Sequence, residues 1–228
     1  MLSASSSRHF VSHLPLLQRR FFLLFVCLLV YLILYPFTQH GSLVFRLFGS
    51  AVTLLSIYAI SYRHTFTGIG FLLALPALWQ RIFLPGDGHA VAILSTLLTF
   101  VFDVFIVVLI FRRVFDKRAP PDAESIFGAL CIYLLAGFSF ASLYSMVATV
   151  QPHAFYLDPT SNLRTVPDRF DLIYYSFGTI VSLGAPGITP VSDQARSLSV
   201  IEALLGLLYL AVLISKLMSA YTSRPRGA

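Results

Sequence analysis

Between Tyr174 and Pro190 the chain reads YYSFGTIVSLGAPGITP, and residue type and spacing promise chemistry here first. A short amphipathic piece runs into a Ser/Gly/Pro turn, and a long hydrophobic segment follows from near Arg196. In a bilayer, backbone that is neither helix nor barrel is tolerated only where protein covers it or where it lines a water-filled path. A broken segment between two apolar spans therefore reads as a pore loop. Pro167-Asp168 precedes a helix expected over Arg169 to Val181. Asp168 suits its N-cap, and Asp171 in the first turn suits the positive end of its dipole. The C-terminal carbonyls of that helix would face the middle of the membrane. Four such helices around one axis would lower the cost of holding a cation there. One chain supplies only one wall, so this chemistry requires a homotetramer.

Two further acids lie inside apolar runs. A carboxyl group within a span is costly and faces protein or water. Glu202 falls about a turn and a half into the last apolar segment, where it can brace the loop from behind by accepting hydrogen bonds, ionised or protonated; a place near the outer water layer is the plainer reading. Asp103 is the most isolated charge in the chain. It suits a proton or ion site, a basic partner such as Arg63, or a neutral hydrogen-bonded acid.

The elements that must position these groups follow from hydropathy. Apolar residues make up 57% of the 228 positions and charged residues 11%, with a mean hydropathy of +0.81. A soluble core cannot hold that much apolar side chain, so the fold class is an all-α integral membrane protein. Six segments approach the span length of about 20 residues: 21–37, 42–62, 66–84, 90–111, 125–150 and 198–221. The organisation expected is an N-terminal tail over 1–20, a four-helix unit over 21–111, a basic linker over 112–124, a pore domain over 125–221 and a tail over 222–228. Within the pore domain the outer helix is placed at 125–150, pore helix and filter at 168–190, and the inner helix at 197–221. Arg112 to Arg118 are expected to form a basic helix on the inner membrane surface.

With the N-terminus inside, ten Lys and Arg residues fall in inner loops and tails against three in outer ones, Arg164, Arg169 and Arg196. That asymmetry places both termini in the cytoplasm of a multi-pass protein of the cell (inner) membrane. The Ser- and Arg-rich residues 1–20 also fit a targeting segment, although Arg19-Arg20 directly abutting the first span favours a tail. The basic residues sit at span ends rather than in one patch, which argues against nucleic acid. Cys27 and Cys131 give no disulfide framework, and the six scattered His give no metal-ligand spacing. No nucleophile elbow, metalloprotease motif or phosphate loop is present, so an enzyme is not expected. The fourth span lacks the repeated Arg or Lys of a voltage sensor.

The loop also resembles the pore region of the potassium-channel family, whose pattern is Thr-x-x-Thr-x-Gly-Tyr/Phe-Gly-Asp followed by Ile-Thr-Pro. Thr179, Ser182, Gly184 and Ile188-Thr189-Pro190 fall on it without a gap. Ala185, Pro186 and Gly187 stand where the family has its aromatic residue, second glycine and aspartate. The resemblance implies a selectivity filter made of Thr179, Val181, Ser182, Leu183, Gly184, Ala185, Pro186 and Gly187, with backbone carbonyls and a hydroxyl replacing the water around the ion. Pro186 fixes its own φ and restricts Ala185, so the outer half of the filter departs from the family's shape. Ala195 to Ala211 is similar to the inner helix of bacterial potassium-channel-like proteins and places Gly206 at the gating hinge. Close helix packing is an equal reading of that glycine. Glu202 and Asp171 would support the filter.

The resemblance covers residues 125–221, within a six-span layout similar to a bacterial branch without a sensor. It implies a homotetrameric channel in the lipid bilayer that passes monovalent cations with altered selectivity. No cofactor or metal is implied beyond the permeating cation, for which potassium is the candidate. The alternative is a non-conducting protein that keeps the fold for assembly, regulation or signalling, with a conducting homologue as partner. A transporter using Asp103 and Glu202 is a third reading.

Overall fold

A computed structural model describes residues 20–37, 43–61, 64–83, 89–116, 123–162 and 164–222. Among these described residues the fold has seven α-helices and one two-stranded sheet. Four helices come first: α1 (Arg20–Leu34, continued by a 3-10 turn over Tyr35–Phe37), α2 (Leu43–Ile60), α3 (His64–Phe83) and α4 (His89–Val114). Then follow α5 (Ala123–Val150), β1 (Phe155–Leu157), α6 (Arg169–Ile180), β2 (Ile188–Pro190) and α7 (Asp193–Thr222).

Among the described residues, four helices are long and apolar enough to cross a membrane: Arg20–Phe37, Ile93–Val114, Glu124–Val150 and Asp193–Lys216. The second and third expected spans correspond to α2 and α3. Their apolar stretches among the described residues are shorter, Leu47–Ile60 and Thr67–Pro76. Four helices rather than six therefore meet the length requirement among the described residues. A correction concerns the linker. Arg112 and Arg113 form the last turn of α4 and not a separate surface helix. Their charge suits the negative end of that helix dipole. Residues 1–19, 117–122 and 223–228, in which the expected tails and most of the linker fall, lie outside the described residues, as do Arg63 and the side chains of Arg46 and Arg81.

Helix α5 is the hub. Over half of its apolar window (56%) is buried, against 17% for α7, so α5 is wrapped by protein while α7 turns most of its surface outward. One face of α5 packs on α1 and α4 through Phe21, Leu24, Ile106, Ile110, Ala129 and Ile132. The first turn of α5 also caps α1, because Phe21 N–H donates to Glu124 Oε2 at 3.0 Å and serves one of the amides a helix start leaves unpaired. The other face carries α6 and α7. At the far end of α7, Lys216 Nζ donates to the carbonyl of Val114 and lies over the Phe115 ring, at 4.5 Å from its centroid. This contact closes a carbonyl at the C-terminus of α4.

Candidate functional site

The site is the turn after α6 together with everything that fixes it. Asp168 is the N-cap of α6, and its Oδ1 accepts from Asp171 N–H at 2.9 Å while Asp171 Oδ2 accepts from Asp168 N–H at 2.9 Å. This reciprocal box serves amides at the helix start. Arg164 adds an ion pair to Asp168. Asp171 thus sits at the N-terminus of α6, the opposite end of the helix from the turn it was expected to support.

The C-terminus of α6 closes by a Schellman arrangement. Leu183 N–H reaches Gly178 O at 2.9 Å, Ser182 N–H reaches Thr179 O at 2.9 Å, and Ser182 takes the left-handed conformation at φ 58°. Gly184 N–H also binds Gly178 O at 2.9 Å, with φ 82°. The amides of Val181, Ser182, Leu183 and Gly184 are all directed into the helix end. Among the described residues no hydrogen bond reaches the carbonyls of these four residues, and all four are exposed. Donors point inward and acceptors are left over as an oxygen lip, of which the Gly184 carbonyl lies against Gly178, where a Cβ would come within 2.4 Å of it.

The outer end of the turn is held by a part of the chain that the sequence did not single out. β1 and β2 pair antiparallel, Tyr156 opposite Thr189. The Gly187 carbonyl then accepts from Asp158 N–H at 2.9 Å and from Asn162 Nδ2 at 2.8 Å. Asp158 in turn accepts from the Thr160 amide at 3.0 Å and the Thr160 hydroxyl at 2.8 Å, and these bonds hold its carboxyl below the usual aspartate range. Behind the turn, Tyr144, Phe155 and Tyr175 form an edge-to-face trio with centroids 5.0–5.6 Å apart. Ala185 packs against this cluster. Three rings from other elements thus fill the space behind a residue too small to fill it. Pro186 is exposed and leaves Ala185 able to accept from Ile188 N–H at 3.1 Å.

Polar ties fix α6 from behind. Glu202 is fully buried, with Oε2 2.6 Å from the Tyr144 hydroxyl and Oε1 2.5 Å from Ser176 Oγ. Ser176 Oγ also lies 2.7 Å from Gly137 O. The Tyr133 hydroxyl donates at 3.0 Å to Ile180 O, the last carbonyl of α6. Gly206 sits against that same carbonyl: a Cβ there would lie 2.2 Å from Ile180 O, so only glycine permits this approach of α7. Of the two readings of Gly206, close packing is thus directly visible. Reading the sequence missed Tyr133, Tyr144, Ser176 and Asn162, whose roles depend on partners 25 to 58 residues away.

Asp103 is placed apart from the turn. It is half-buried on α4 and lines a cavity of about 60 Å³ with Thr53, Ser56, Thr99, Ser142 and Arg169. No group of His, Cys, Asp and Glu suited to a metal ion occurs among the described residues.

The fold is that of a helical membrane protein, with four helices among the described residues long and apolar enough to cross a bilayer. Residues 128–223, from α5 through α7, match the family described as "Ion channel" (Ion_trans_2). That stretch of the chain is similar to two-span, potassium-channel-like ion-channel domains. Neither the curated proteins nor the solved structures give a significant match.

Proposed function

We propose that the chain is one subunit of a homotetrameric cation channel of the inner cell membrane, with α6 and the turn after it re-entering from the outer side. The observation that carries this reading is the oxygen lip: four consecutive exposed residues, Val181 to Gly184, whose amides close the helix and whose carbonyls receive no hydrogen bond among the described residues. Acceptors without donors suit a cation and not an anion. The residues assigned to the ion path are Thr179, Val181, Ser182, Leu183, Gly184, Ala185, Pro186 and Gly187. The carbonyls of Ser182 to Gly184 form its narrow part, and potassium is the candidate ion. Pro186 and Gly187 make the outer half of the path different from a potassium filter, so reduced discrimination between potassium and sodium is expected.

The exposed leucines of α7, among them Leu204, Leu205, Leu207 and Leu208, support an inner helix that neighbouring copies and lipid cover. Gly206 serves as the gating hinge in this reading. A bend there lifts α7 from Ile180 O and loosens the base of the turn. Six spans with both termini in the cytoplasm complete the topology, α2 and α3 crossing with the help of their neighbours.

The test is purification in detergent, native mass measurement, and reconstitution into liposomes under potassium, sodium and chloride gradients. Four chains per particle and a cation flux without chloride flux are expected. A chloride flux, or a stable assembly of another number that conducts, would overturn the reading.

A further inference from the structure

The hydrogen-bond geometry around Glu202 fixes where its protons are. Three short contacts meet there: Tyr144 Oη to Glu202 Oε2 at 2.6 Å, Glu202 Oε1 to Ser176 Oγ at 2.5 Å, and Ser176 Oγ to Gly137 O at 2.7 Å. Each needs one hydrogen. The Gly137 carbonyl can only accept, Tyr144 brings one hydrogen and Ser176 brings one. An ionised Glu202 brings none, which leaves three contacts and two hydrogens. One contact would then press two acceptors together at hydrogen-bond distance. A hydrogen on Oε1 completes the set: Tyr144 donates to Oε2, Glu202 donates to Ser176, and Ser176 donates to Gly137 O. Charge points the same way. Glu202 is fully buried, and among the described residues no Lys, Arg or His forms an ion pair with it. A lone carboxylate in such a place is costly and protonates instead. The groups facing it from α5 and α6 are the phenols of Tyr133, Tyr144 and Tyr175, none of them cationic.

We propose that Glu202 keeps its proton in the folded protein and acts as a hydrogen-bond donor, tying α7 to α6 and α5 through a neutral relay rather than an ion. It is a positioning residue for the turn after α6. This rests on the geometry alone and stands whether or not the protein conducts.

The chain has only two glutamates, Glu124 and Glu202. Infrared spectra of the intact protein at neutral pH, with and without ¹³C-labelled glutamate carboxyl groups, therefore isolate these two. The expected result is a protonated-acid carbonyl band that shifts with the label, survives in Glu124→Gln and disappears in Glu202→Gln. Absence of a label-sensitive acid band in the wild-type protein, or its loss in Glu124→Gln, would overturn the proposal, and neither reading requires the Glu202 variant to fold. Glu202→Gln keeps one donor and one acceptor and should shift the unfolding midpoint by less than about 3 °C. Glu202→Ala removes both and should lower it several-fold further. Equal losses in the two variants would contradict the donor role.

Discussion

The α1–α4 unit and the α5–α7 unit are built from similarly apolar helices but handle their hydroxyl groups differently. In the first, Thr53, Ser56 and Thr99 donate to the carbonyl four residues earlier on their own helix. In the second, Ser139, Ser142 and Thr149 do the same, but Tyr133, Tyr144, Tyr209 and Ser176 also reach across to other elements. A bond within one helix leaves its neighbours free to shift, whereas a bond between helices fixes their angle and register. Lipid offers no hydrophobic drive for helix association, so packing and such polar ties decide geometry in a membrane. In the α5–α7 unit such ties converge on α6 and the turn after it.

The largest expected contrast lies between two glycines. Gly206→Ala places a methyl group against the Ile180 carbonyl and should cost about 3 kcal/mol. Gly68→Ala on α3 meets nothing within 4 Å and should stabilise by up to about 1 kcal/mol through helix propensity. Denaturant titration in detergent checks both, and equal effects would erase the distinction between the units. Next come two hydroxyl deletions. Tyr144→Phe leaves a buried carboxyl oxygen without its donor and should cost about 2 kcal/mol. Thr99→Val removes only a bond within one helix and should cost less than about 0.5 kcal/mol. A loss at Thr99 as large as that at Tyr144 would show that the first unit also depends on its hydroxyls.

A smaller effect is expected at the start of α6. Asp168→Ala removes half of the capping box and should cost about 1 kcal/mol, with faster amide exchange at Asp171. Exchange unchanged there would mean that tertiary ties alone hold the helix. The smallest effect concerns acid. Thr160 stabilises the ionised form of Asp158, so the contribution of this turn is complete above the ordinary aspartate value of about 3.9 and is lost as pH falls through the lowered one. Carbonyl NMR of Asp158 should titrate below that value. A midpoint at or above it would remove the turn's preference for the carboxylate.

Much of the α5–α7 unit was legible because its signals are local. Asp168 and Asp171 stand three residues apart, the separation a helix start requires, and the break at Ser182 to Pro190 interrupts two apolar runs. Glu202 stood out because a carboxyl group inside a span needs a partner. The partners themselves could not be read. Tyr144 is 58 residues from Glu202, and a tyrosine in an apolar helix looks the same whether or not its hydroxyl is engaged. The pairing of β1 with β2 was hidden for a related reason, since three-residue strands show no alternation. Composition located the helices, but it could not show that Arg112 and Arg113 continue α4.

The most direct test of the oxygen lip is the bi-ionic reversal potential of the purified protein in planar bilayers. The wild-type chain is compared with the variant Ala185→Tyr, Pro186→Gly, Gly187→Asp. The account predicts cation current without chloride current in both, with weak preference for potassium over sodium in the wild type and a much stronger one in the variant. Identical permeability ratios in the two, or a chloride-carried current, would contradict the assignment of Ser182 to Gly187 as the ion path.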